Sequence, residues 1–392
     1  MPKTPRGLAL LGSTGSIGTS VLDVVDRLEG RFRVVALAAG SNAEMLAAQV
    51  EKYRPALVSV RDKRDAERIR SLAGGRRIKV KVVHGPEGAC EAARAGGADI
   101  VVSAITGMSG FRPTLEAVRA GRRVALANKE SMVVGGPLLR KEAARSGAEI
   151  IPIDSEHSGV FQCLGRVRRA DVRKVTLTAS GGPFLRTPLA ELGSKTLGEA
   201  LRHPRWVMGK KVTVDSATMM NKGLELIEAR WLFDLDPARL DVLIHPQSAV
   251  HALVAMKDGS VLAQLSATDM RVPIQLALTW PERLDSGLPE LDLAEVGRLE
   301  FLPVDERRYP LFRLARRALE DGGSSPVALN AANEVAVASF LENRIAFADI
   351  RAVVAGVMDR HRPRPADSVE AIVDIDDEAR REARRLIPQR SS

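Results

Sequence analysis

The chain has 392 residues, 45% of them hydrophobic and 27% charged, which suits a globular protein of two or three domains. Its formal net charge is +9 but only 4% of its residues are aromatic, which argues against a nucleic-acid partner and suits a phosphorylated small molecule. No apolar run reaches the ~20 residues of a membrane span, and the two cysteines have no metal-binding or redox spacing, so we expect a cytoplasmic protein.

The first 150 residues alternate short apolar runs with amphipathic stretches of helical periodicity. This alternation predicts an α/β domain built on a Rossmann-like, mostly parallel, doubly wound sheet. The predicted strands are residues 8–11, 33–39, 56–60, 79–83, 99–103, 123–126 and 150–153.

After residue 150 the pattern changes. Residues 174–178 and 211–214 are predicted strands and 250–256 with 260–265 a predicted hairpin, so we expect a central α+β domain over residues 151–280. Residues 281–309 are rich in proline and acidic residues, which predicts a surface linker. Residues 310–392 show helical periodicity and a helix start at Ser325-Pro326, which predicts a C-terminal helical bundle.

Gly12-x-x-Gly15-x-x-Gly18 stands where the first predicted strand becomes a helix. Glycines at this spacing let backbone amides and a helix N-terminus approach a pyrophosphate, so the loop predicts a dinucleotide site. The second strand ends in Ala38-Ala39-Gly40-Ser41-Asn42, without the acid that binds the ribose of NAD. NADPH is therefore favoured, with Ser41 and Asn42 as donors to its 2′-phosphate and Arg61 as a possible helper.

Two short segments carry carboxylates. Asp154 and Glu156 follow the predicted strand 150–153, where a period of two would point both to one face. Asn221, Lys222 and Glu225 are three and four residues apart, on one face of a helix. Three carboxylates match Mg2+ or Mn2+ better than zinc. Taken alone, the first segment could equally be a solvated strand end, and the second could equally be an ordinary amphipathic helix. The nucleotide loop elsewhere in the chain favours the metal site over these structural readings.

Neutral donors surround these carboxylates. Ser180-Gly181-Gly182 follows the predicted strand 174–178 and can form an anion-binding concavity, to which Ser216, Asn221 and Lys222 add donors. Lys129 and Glu130 follow the strand 123–126, at the edge of the sheet where ligands gather, so we expect both at the active site.

Residues 203–209 place Trp206 between Pro204 and Gly209. Two interpretations remain open for this segment: a loop packed on the core, or a lid that closes over substrate. His245 and His251 lie near an apolar strand without a third metal ligand, so we expect them to be structural.

Seven sequence motifs occur in order along the chain, and several are long enough to be highly specific. They are Gly12-Ser-Thr-Gly-Ser-Ile-Gly18, Ala127-Asn-Lys-Glu-Ser131, Asp154-Ser-Glu-His157, Ser180-Gly-Gly-Pro-Phe184, Val214-Asp-Ser-Ala-Thr-Met-Met-Asn-Lys-Gly-Leu-Glu225, Ile244-His-Pro-Gln-Ser248 and Asn330-Ala-Ala-Asn-Glu334. In this order the chain resembles the 1-deoxy-D-xylulose 5-phosphate reductoisomerase family over nearly its whole length. The resemblance implies NADPH- and Mg2+- or Mn2+-dependent conversion of 1-deoxy-D-xylulose 5-phosphate to 2-C-methyl-D-erythritol 4-phosphate, in the non-mevalonate route to isoprenoids, by a cytoplasmic homodimer.

The resemblance also implies roles for individual residues. Metal ligands, which are also catalytic, are implied at Asp154, Glu156 and Glu225, with Lys129 as a candidate proton donor or charge stabiliser. Substrate contacts are implied at Lys129, Ser155, Glu156, Ser180, His203, Trp206, Ser216, Asn221, Lys222 and Glu225. Cofactor contacts are implied at Thr14, Gly15, Ser16, Ile17, Gly40, Ser41, Asn42, Asn128, Glu130 and Gly209. Some members of the family have lysine where Ser41 stands.

A metal held by three carboxylates can act on an α-hydroxyketone as Lewis acid and template. The carbon skeleton would rearrange by retro-aldol and aldol steps or by a direct shift, and the branched aldehyde would accept hydride from the nicotinamide. Two alternatives are another two-domain NADPH dehydrogenase and a non-catalytic NADP(H)-binding redox sensor. Against the first, this chain has no cysteine nucleophile in the setting that a semialdehyde enzyme needs. The three carboxylates argue against the second.

Overall fold

The computed structural model describes residues 4–40, 42–75, 78–165, 167–204, 206 and 208–387. They form two compact units. The first contains the described residues up to Ser131 with Leu139–Ser155 and Asp269–Leu288, and the second contains Met132–Leu138, Glu156–Thr268 and the described residues from Pro289. Among these residues no helix combines the length and the apolar character needed to cross a bilayer.

The first unit is built on a seven-stranded parallel sheet, which confirms the predicted doubly wound α/β fold. Its strands are β1 (Arg6–Leu11), β2 (Phe32–Ala38), β3 (Leu57–Val60), β4 (Lys81–His84), β5 (Ile100–Ser103), β6 (Arg123–Leu126) and β7 (Ile150–Pro152). The order is β4-β3-β2-β1-β5-β6-β7, so chain order reverses between β1 and β5. Ligands of such sheets bind at that reversal, outside the carboxyl ends of the strands.

The central strands of this sheet are mostly apolar because both faces are covered. All four residues from Leu8 to Leu11 are buried. The helices along this part of the chain are Ser16–Arg27, Ala43–Tyr53, Lys63–Gly75, Gly85–Ala93, Phe111–Arg119, Lys129–Ser146 and Arg271–Thr279, with a 3-10 turn at Met108–Gly110.

The second unit contains a mixed five-stranded sheet, as predicted for an α+β domain. Its strands are β8 (Val172–Ala179), β9 (Leu240–Ile244), β10 (Val250–Met256), β11 (Val261–Leu265) and β12 (Leu302–Pro303). The predicted hairpin is present as the antiparallel pair β10 and β11, whereas β8 and β9 are parallel. The sheet order β11-β10-β8-β9-β12 leaves β11 and β12 at the edges.

Helices account for most of the rest of the second unit. Those around the sheet are Ser155–Leu164, Leu197–Ala200, Lys210–Ala217, Met220–Phe233 and Leu293–Val296, with 3-10 turns at Arg169–Asp171, Leu189–Ser194 and Pro237–Arg239. The C-terminal bundle contains Pro310–Asp321, Ser325–Leu341, Phe347–Arg360 and Val369–Leu386. The bundle was predicted, including the start of a helix at Ser325, which Pro326 suits because its fixed φ fits a first turn.

The prediction of a strand at residues 211–214 is wrong, because these residues lie in the helix Lys210–Ala217. Val212, Thr213 and Val214 are β-branched, and the two valines alternate with polar residues, which imitates a strand. In the structure Thr213, Val214 and Ala217 are buried together at helical spacing. Tertiary burial therefore overrides the local preference.

The segment predicted as a surface linker takes part in both units. Residues up to 288 belong to the first unit, where Glu282 binds Arg31 at 2.8 Å and the carbonyl of Ser286 accepts from Arg27 at 3.2 Å. Further along, β12 pairs with β9 and Tyr309 is buried. The predicted boundaries at 280 and 309 differ from this division because these contacts join residues far apart in sequence.

Gly223 fixes the distance between two helices of the second unit. It lies in Met220–Phe233, and a Cβ added there would stand 2.3 Å from the Cβ of Ala315 in Pro310–Asp321. Real methyl groups cannot approach so closely, so the contact requires glycine.

We expect Gly223→Ala to lower the free energy of unfolding by about 1–3 kcal/mol, because the added methyl overpacks this contact. Gly198→Ala is the matched control, since nothing lies within 4 Å of a Cβ in that helix. Urea unfolding of both variants measures the difference, and equal stability of the two would contradict the close contact.

Candidate active site

The glycine loop between β1 and the helix Ser16–Arg27 uses its three glycines differently. Gly12 has φ of +92°, and a Cβ there would stand 2.4 Å from the carbonyl oxygen of Ala104. A Cβ on Gly18 would stand 2.2 Å from the carbonyl oxygen of Gly12. Gly15 is exposed at the helix start, where amides can meet an anion. Gly12 and Gly18 thus permit close packing of the backbone, and Gly15 leaves the start of the helix accessible to a ligand.

The end of β2 leads into the helix Ala43–Tyr53, which Asn42 caps. The Asn42 side-chain oxygen accepts from the amide of Met45 at 3.1 Å, which leaves its NH2 group to donate. Ser41 lies outside the described residues, and Gly40 is exposed. The predicted helper Arg61 binds Asp62 and Asp65, each at 3.2 Å, so its charge is already partnered.

Asn128 joins the loops that follow two neighbouring strands, β5 and β6. Its side chain accepts from the amide of Ser131 at 2.9 Å and donates to the carbonyl of Ile105 and to Glu130, at 2.6 and 3.0 Å. Both Asn128 and Glu130 are buried. Beside them the ammonium of Lys129 lies 2.5 Å from a carboxylate oxygen of Asp154. The carboxyl end of the sheet therefore holds a lysine–aspartate pair in which the lysine is buried and the aspartate is partly exposed.

In the second unit, Lys222 lies between two of the predicted metal ligands. Its Nζ donates to Glu156 Oε1 at 2.6 Å and to Glu225 Oε2 at 2.5 Å. Lys222 is 3% exposed and Glu225 0%, and Asn221 donates to the other oxygen of Glu225 at 2.6 Å. Burial acts to lower the pKa of Lys222, but the carboxylates of Glu156 and Glu225 outweigh it and raise the pKa. The lysine is thus a charged ammonium shared by two carboxylates.

The predicted helical face of Asn221, Lys222 and Glu225 is present on Met220–Phe233, where Lys222 and Glu225 are buried and Asn221 is partly exposed. The argument that put Asp154 and Glu156 on one face of a strand is wrong. β7 ends at Pro152, and Glu156 lies in the first turn of Ser155–Leu164, where the helix dipole favours a carboxylate.

The carboxylate pair fits a hard cation. Glu156 and Glu225 come from separate helices and approach one ammonium within hydrogen-bonding distance. Two carboxylates against one lysine leave an excess negative charge, and carboxylate oxygens are the donors that Mg2+ prefers. The donor set therefore suits Mg2+ or Mn2+, whereas a zinc site would call for nitrogen or sulfur ligands.

Three of the predicted substrate residues meet at the end of β8. Ser180 Oγ lies 2.9 Å from His203 Nε2, and the amide of Trp206 donates to His203 Nδ1 at 2.9 Å. A Cβ on Gly182 would stand 2.5 Å from the carbonyl oxygen of Ser216, so the Ser180-Gly181-Gly182 loop lies against the helix Lys210–Ala217. Burial lowers the pKa of His203 to about 4, so the ring is neutral near pH 7.

The remaining predicted residues have simpler surroundings. Ser155 is buried, Thr14 and Ile17 are partly buried, and Ser16 and Gly209 are exposed at helix starts. The partly exposed Trp206 ring is 6.3 Å from that of His251. Residues 205 and 207 of the predicted lid lie outside the described residues. The two interpretations of this segment, a lid or a loop packed on the core, therefore both stay predictions.

The histidines expected to be structural are buried. His245 Nδ1 lies 2.8 Å from the carbonyl oxygen of Glu300, its Nε2 accepts from the amide of Ala249 at 3.1 Å, and its ring stacks on Phe301. His251 lies on β10. His157, which the sequence did not single out, contacts the carbonyl oxygen of Glu225 at 2.9 Å.

Sequence reasoning missed a buried polar contact behind Ser216. Asp215 binds Lys211 at 2.9 Å and accepts from Asn333 Nδ2 at 2.8 Å. Asp215 and Asn333 are both buried. The available signal was Asn330 and Asn333, two amides on the mostly apolar helix Ser325–Leu341.

Three family models match the chain. Residues 8–136 match the family model of 1-deoxy-D-xylulose 5-phosphate reductoisomerase. Residues 150–233 match the C-terminal domain model of the same enzyme, and residues 265–382 match a second model described as DXP reductoisomerase C-terminal domain.

Named relatives and solved structures cover the chain almost completely. The 1-deoxy-D-xylulose 5-phosphate reductoisomerase of Chlorobium chlorochromatii (strain CaD3) is 49% identical over 98% of this chain and 100% of its own. That of Pseudomonas aeruginosa (strain UCBPP-PA14) is 48% identical over 96% of each chain.

A DOX-P reductoisomerase solved with NADPH, fosmidomycin and magnesium is 39% identical, with a TM-score of 0.95 over 97% of this chain and 98% of its own. The Zymomonas mobilis enzyme solved with NADPH is 40% identical, with a TM-score of 0.90 over 98% of this chain and 99% of its own. The chain belongs to the 1-deoxy-D-xylulose 5-phosphate reductoisomerase family.

Proposed function

We propose that this protein converts 1-deoxy-D-xylulose 5-phosphate to 2-C-methyl-D-erythritol 4-phosphate, using NADPH and a divalent cation. The observation that carries the proposal is the convergence of Glu156 and Glu225 on Lys222, in a chain of this family that also has the glycine loop. The enzyme is favoured over a redox sensor because a sensor needs no such carboxylates. It is favoured over another two-domain dehydrogenase because the family models extend over most of the chain.

The cofactor is NADPH, held in the proposed NADPH-binding domain (residues 1–150). Gly15, Ser16 and Ile17 open the first helix toward a pyrophosphate, with Thr14 before them. Gly40, Ser41 and Asn42 follow β2 without an acidic residue, which suits a 2′-phosphate. Asn128, Glu130 and Gly209 complete the proposed contacts. Related structures were solved with NADPH, which supports this choice.

The metal ligands are Asp154, Glu156 and Glu225. Asp154 is two residues before Glu156, so their Cα atoms are at most about 7 Å apart. Mg2+ is supported by the magnesium of a related structure, and Mn2+ has the same preference for oxygen ligands. When bound, the cation supplies Lewis acidity to the carbonyl and neighbouring hydroxyl oxygens of the substrate. Lys222, which lies between Glu156 and Glu225, would donate to a substrate oxygen when the cation is bound.

The protein's own residues bind and orient the substrate within the proposed catalytic domain (residues 151–280). Ser180, His203, Ser216, Asn221 and Lys222 are the proposed phosphate contacts, with Ser155 and Trp206 nearer the reacting carbons. A phosphate held by several donors fixes the reacting end, so remote binding energy serves catalysis. Lys129, held by Asp154, is positioned to supply a proton or to stabilise negative charge on a substrate oxygen.

The reaction has two stages. The α-hydroxyketone first rearranges to a branched aldehyde, by retro-aldol and aldol steps or by a direct shift, with no change in atoms. NADPH then supplies hydride to the aldehyde carbon, and a proton goes to its oxygen to give the alcohol and NADP+. Neutral His203 and the charged Lys222 hold protons at defined atoms during these stages.

We further propose a cytoplasmic homodimer, with residues 281–309 as linker and 310–392 as helical domain. A surface that suits a second copy is the edge strand β11, where Val261 is 55% exposed and Leu262 is 40% exposed. An exposed apolar edge strand is a ready template for pairing with another chain.

Glu225→Gln should reduce Mg2+-dependent turnover at least about a hundredfold, because it removes a proposed ligand charge. NADPH affinity, measured by fluorescence titration, should stay within about twofold of that of the unaltered protein. Exposed Glu320→Gln in the same unit is the control. Retained metal-dependent turnover, or loss of NADPH binding alone, would contradict the proposed division of roles.

Asn42→Asp should raise the KM for NADPH about tenfold or more, because it puts a carboxylate beside the proposed 2′-phosphate site. Asp caps a helix as well as Asn does, so the helix Ala43–Tyr53 should be kept. Asn42→Ser is the control that keeps a capping oxygen without charge. Steady-state kinetics with NADPH and NADH test this, and an unchanged NADPH preference in Asn42→Asp would place the 2′-phosphate elsewhere.

Leu262→Asp should convert the dimer to monomer, because a charge on β11 opposes burial of this edge. Leu293→Asp makes the same chemical change at a residue that is 57% exposed and off the sheet. Sedimentation equilibrium separates the two outcomes. A dimer that survives Leu262→Asp unchanged rules out β11 as the contact.

A further inference from the structure

The buried phenol of Tyr309, from the end of the predicted linker, reaches the proposed phosphate loop. Tyr309 is 2% exposed and its hydroxyl donates to the carbonyl oxygen of Gly181 at 2.8 Å. Burial raises the pKa of Tyr309 to about 12, so the phenol keeps its proton and remains a donor near pH 7. The bond joins two residues separated by 128 positions.

This hydrogen bond fixes the orientation of one peptide group. The Gly181–Gly182 peptide is planar and trans, so its C=O and N–H point in opposite directions. The carbonyl points to Tyr309, and the Gly182 N–H on the other side donates to Ser180 Oγ at 3.1 Å. Gly181 and Gly182 have φ of +83° and +68°, in the left-handed region where glycine rotates with little steric cost. A partner on the carbonyl therefore determines which way the peptide faces.

The orientation of this peptide decides what the Ser180 hydroxyl can do. His203 Nδ1 accepts from the amide of Trp206, so the proton of the neutral ring is on Nε2, which donates to Ser180 Oγ. Ser180 Oγ then accepts from both Gly182 N–H and His203 Nε2–H. A hydroxyl oxygen has two lone pairs, and both are now used. Its hydrogen is left to donate to a ligand, which suits a phosphate oxygen.

We propose that Tyr309 is a positioning residue for the phosphate site, whose hydroxyl holds the Gly181–Gly182 peptide so that Ser180 presents its hydrogen to the substrate. This inference rests on the proposed role of Ser180 as a phosphate donor. Without the phenol hydroxyl the plane of this peptide can rotate. The Ser180 hydroxyl can then donate its hydrogen to a neighbouring acceptor of the protein instead of to the substrate.

Arg308 holds the same loop at a different place. Its Nη1 donates to the carbonyl oxygens of Phe184 and Thr187, at 3.0 and 2.6 Å. Neither carbonyl belongs to the Gly181–Gly182 peptide. Arg308 is therefore an internal comparison: it anchors the loop without orienting Ser180.

The experiment measures steady-state kinetics of Tyr309→Phe in the full-length enzyme with Mg2+ and NADPH. Loss of one oriented donor should raise the KM for 1-deoxy-D-xylulose 5-phosphate about fivefold to twentyfold, with kcat and the KM for NADPH within about twofold. Tyr53→Phe is the matched control, because it removes the same hydroxyl from hydrogen bonds to Asp26 in the other unit. Its substrate KM should not change.

A double-mutant cycle with Ser180→Ala separates positioning from a general loss of packing. In the Ser180→Ala background, Tyr309→Phe should change the substrate KM less than about twofold, since no hydroxyl remains to be oriented. Full additivity of the two effects would overturn the inference. Unfolding by urea checks that each variant is folded.

Arg308→Met is the second arm, and it keeps the test decisive if Tyr309→Phe proves unstable. It should lower stability but change the substrate KM less than about twofold, because it leaves the Gly181 carbonyl bonded. A rise as large as that expected for Tyr309→Phe would mean that loop anchoring, and not peptide orientation, sets affinity.

If Ser180→Ala leaves the KM for 1-deoxy-D-xylulose 5-phosphate unchanged, the proposed phosphate contact of Ser180 is wrong. If Ser180→Ala raises it and Tyr309→Phe does not, only the inference about Tyr309 fails.

Discussion

The charged hydrogen bonds of Lys222 with Glu156 and Glu225 are the interaction on which the site depends. Two carboxylates on separate helices would repel each other in a buried place, and removing them from water costs several kcal/mol per ion. The ammonium between them offsets that repulsion and holds both helices at one point. Removal of the lysine would leave both carboxylates without their shared partner. A buried cluster of this kind is kept for what it binds, since apolar residues of similar volume would stabilise the fold as well.

The rest of the second unit arranges donors around this cluster. Ser180, His203 and Ser216 come from a strand end, a loop and a helix, and the Gly182 contact sets how closely the first and the last approach. Behind them Asp215 is tied to Asn333 and Lys211. The surface that would meet the phosphate is thus supported by segments more than a hundred positions away. Precise orientation of neutral donors needs such support, because a serine hydroxyl alone is free to rotate.

Much of this could be predicted from the sequence where the determining contacts are local. The parallel sheet follows from apolar runs at regular spacing, the glycine loop from its place after β1, and the face of Asn221, Lys222 and Glu225 from helical periodicity. The strand predicted at residues 211–214 failed because burial of Val214 and Ala217 outweighed β-branched preference. Tyr309 gave no local signal for its role, and Asn333 gave only an amide on a mostly apolar helix, since each acts through a partner distant in the chain.

The contact between Gly223 and Ala315 constrains how this protein can evolve. Two side chains share a space that accommodates one methyl group, so the identity allowed at either position depends on the other. Alanine can enter at 223 without overpacking if 315 has first become glycine. In the reverse order, the lineage would pass through a less stable protein with alanine at both positions. We therefore expect the two positions to covary among relatives, and a chimera that exchanges the C-terminal helices between distant members to fail at this pair before it fails at the carboxylates.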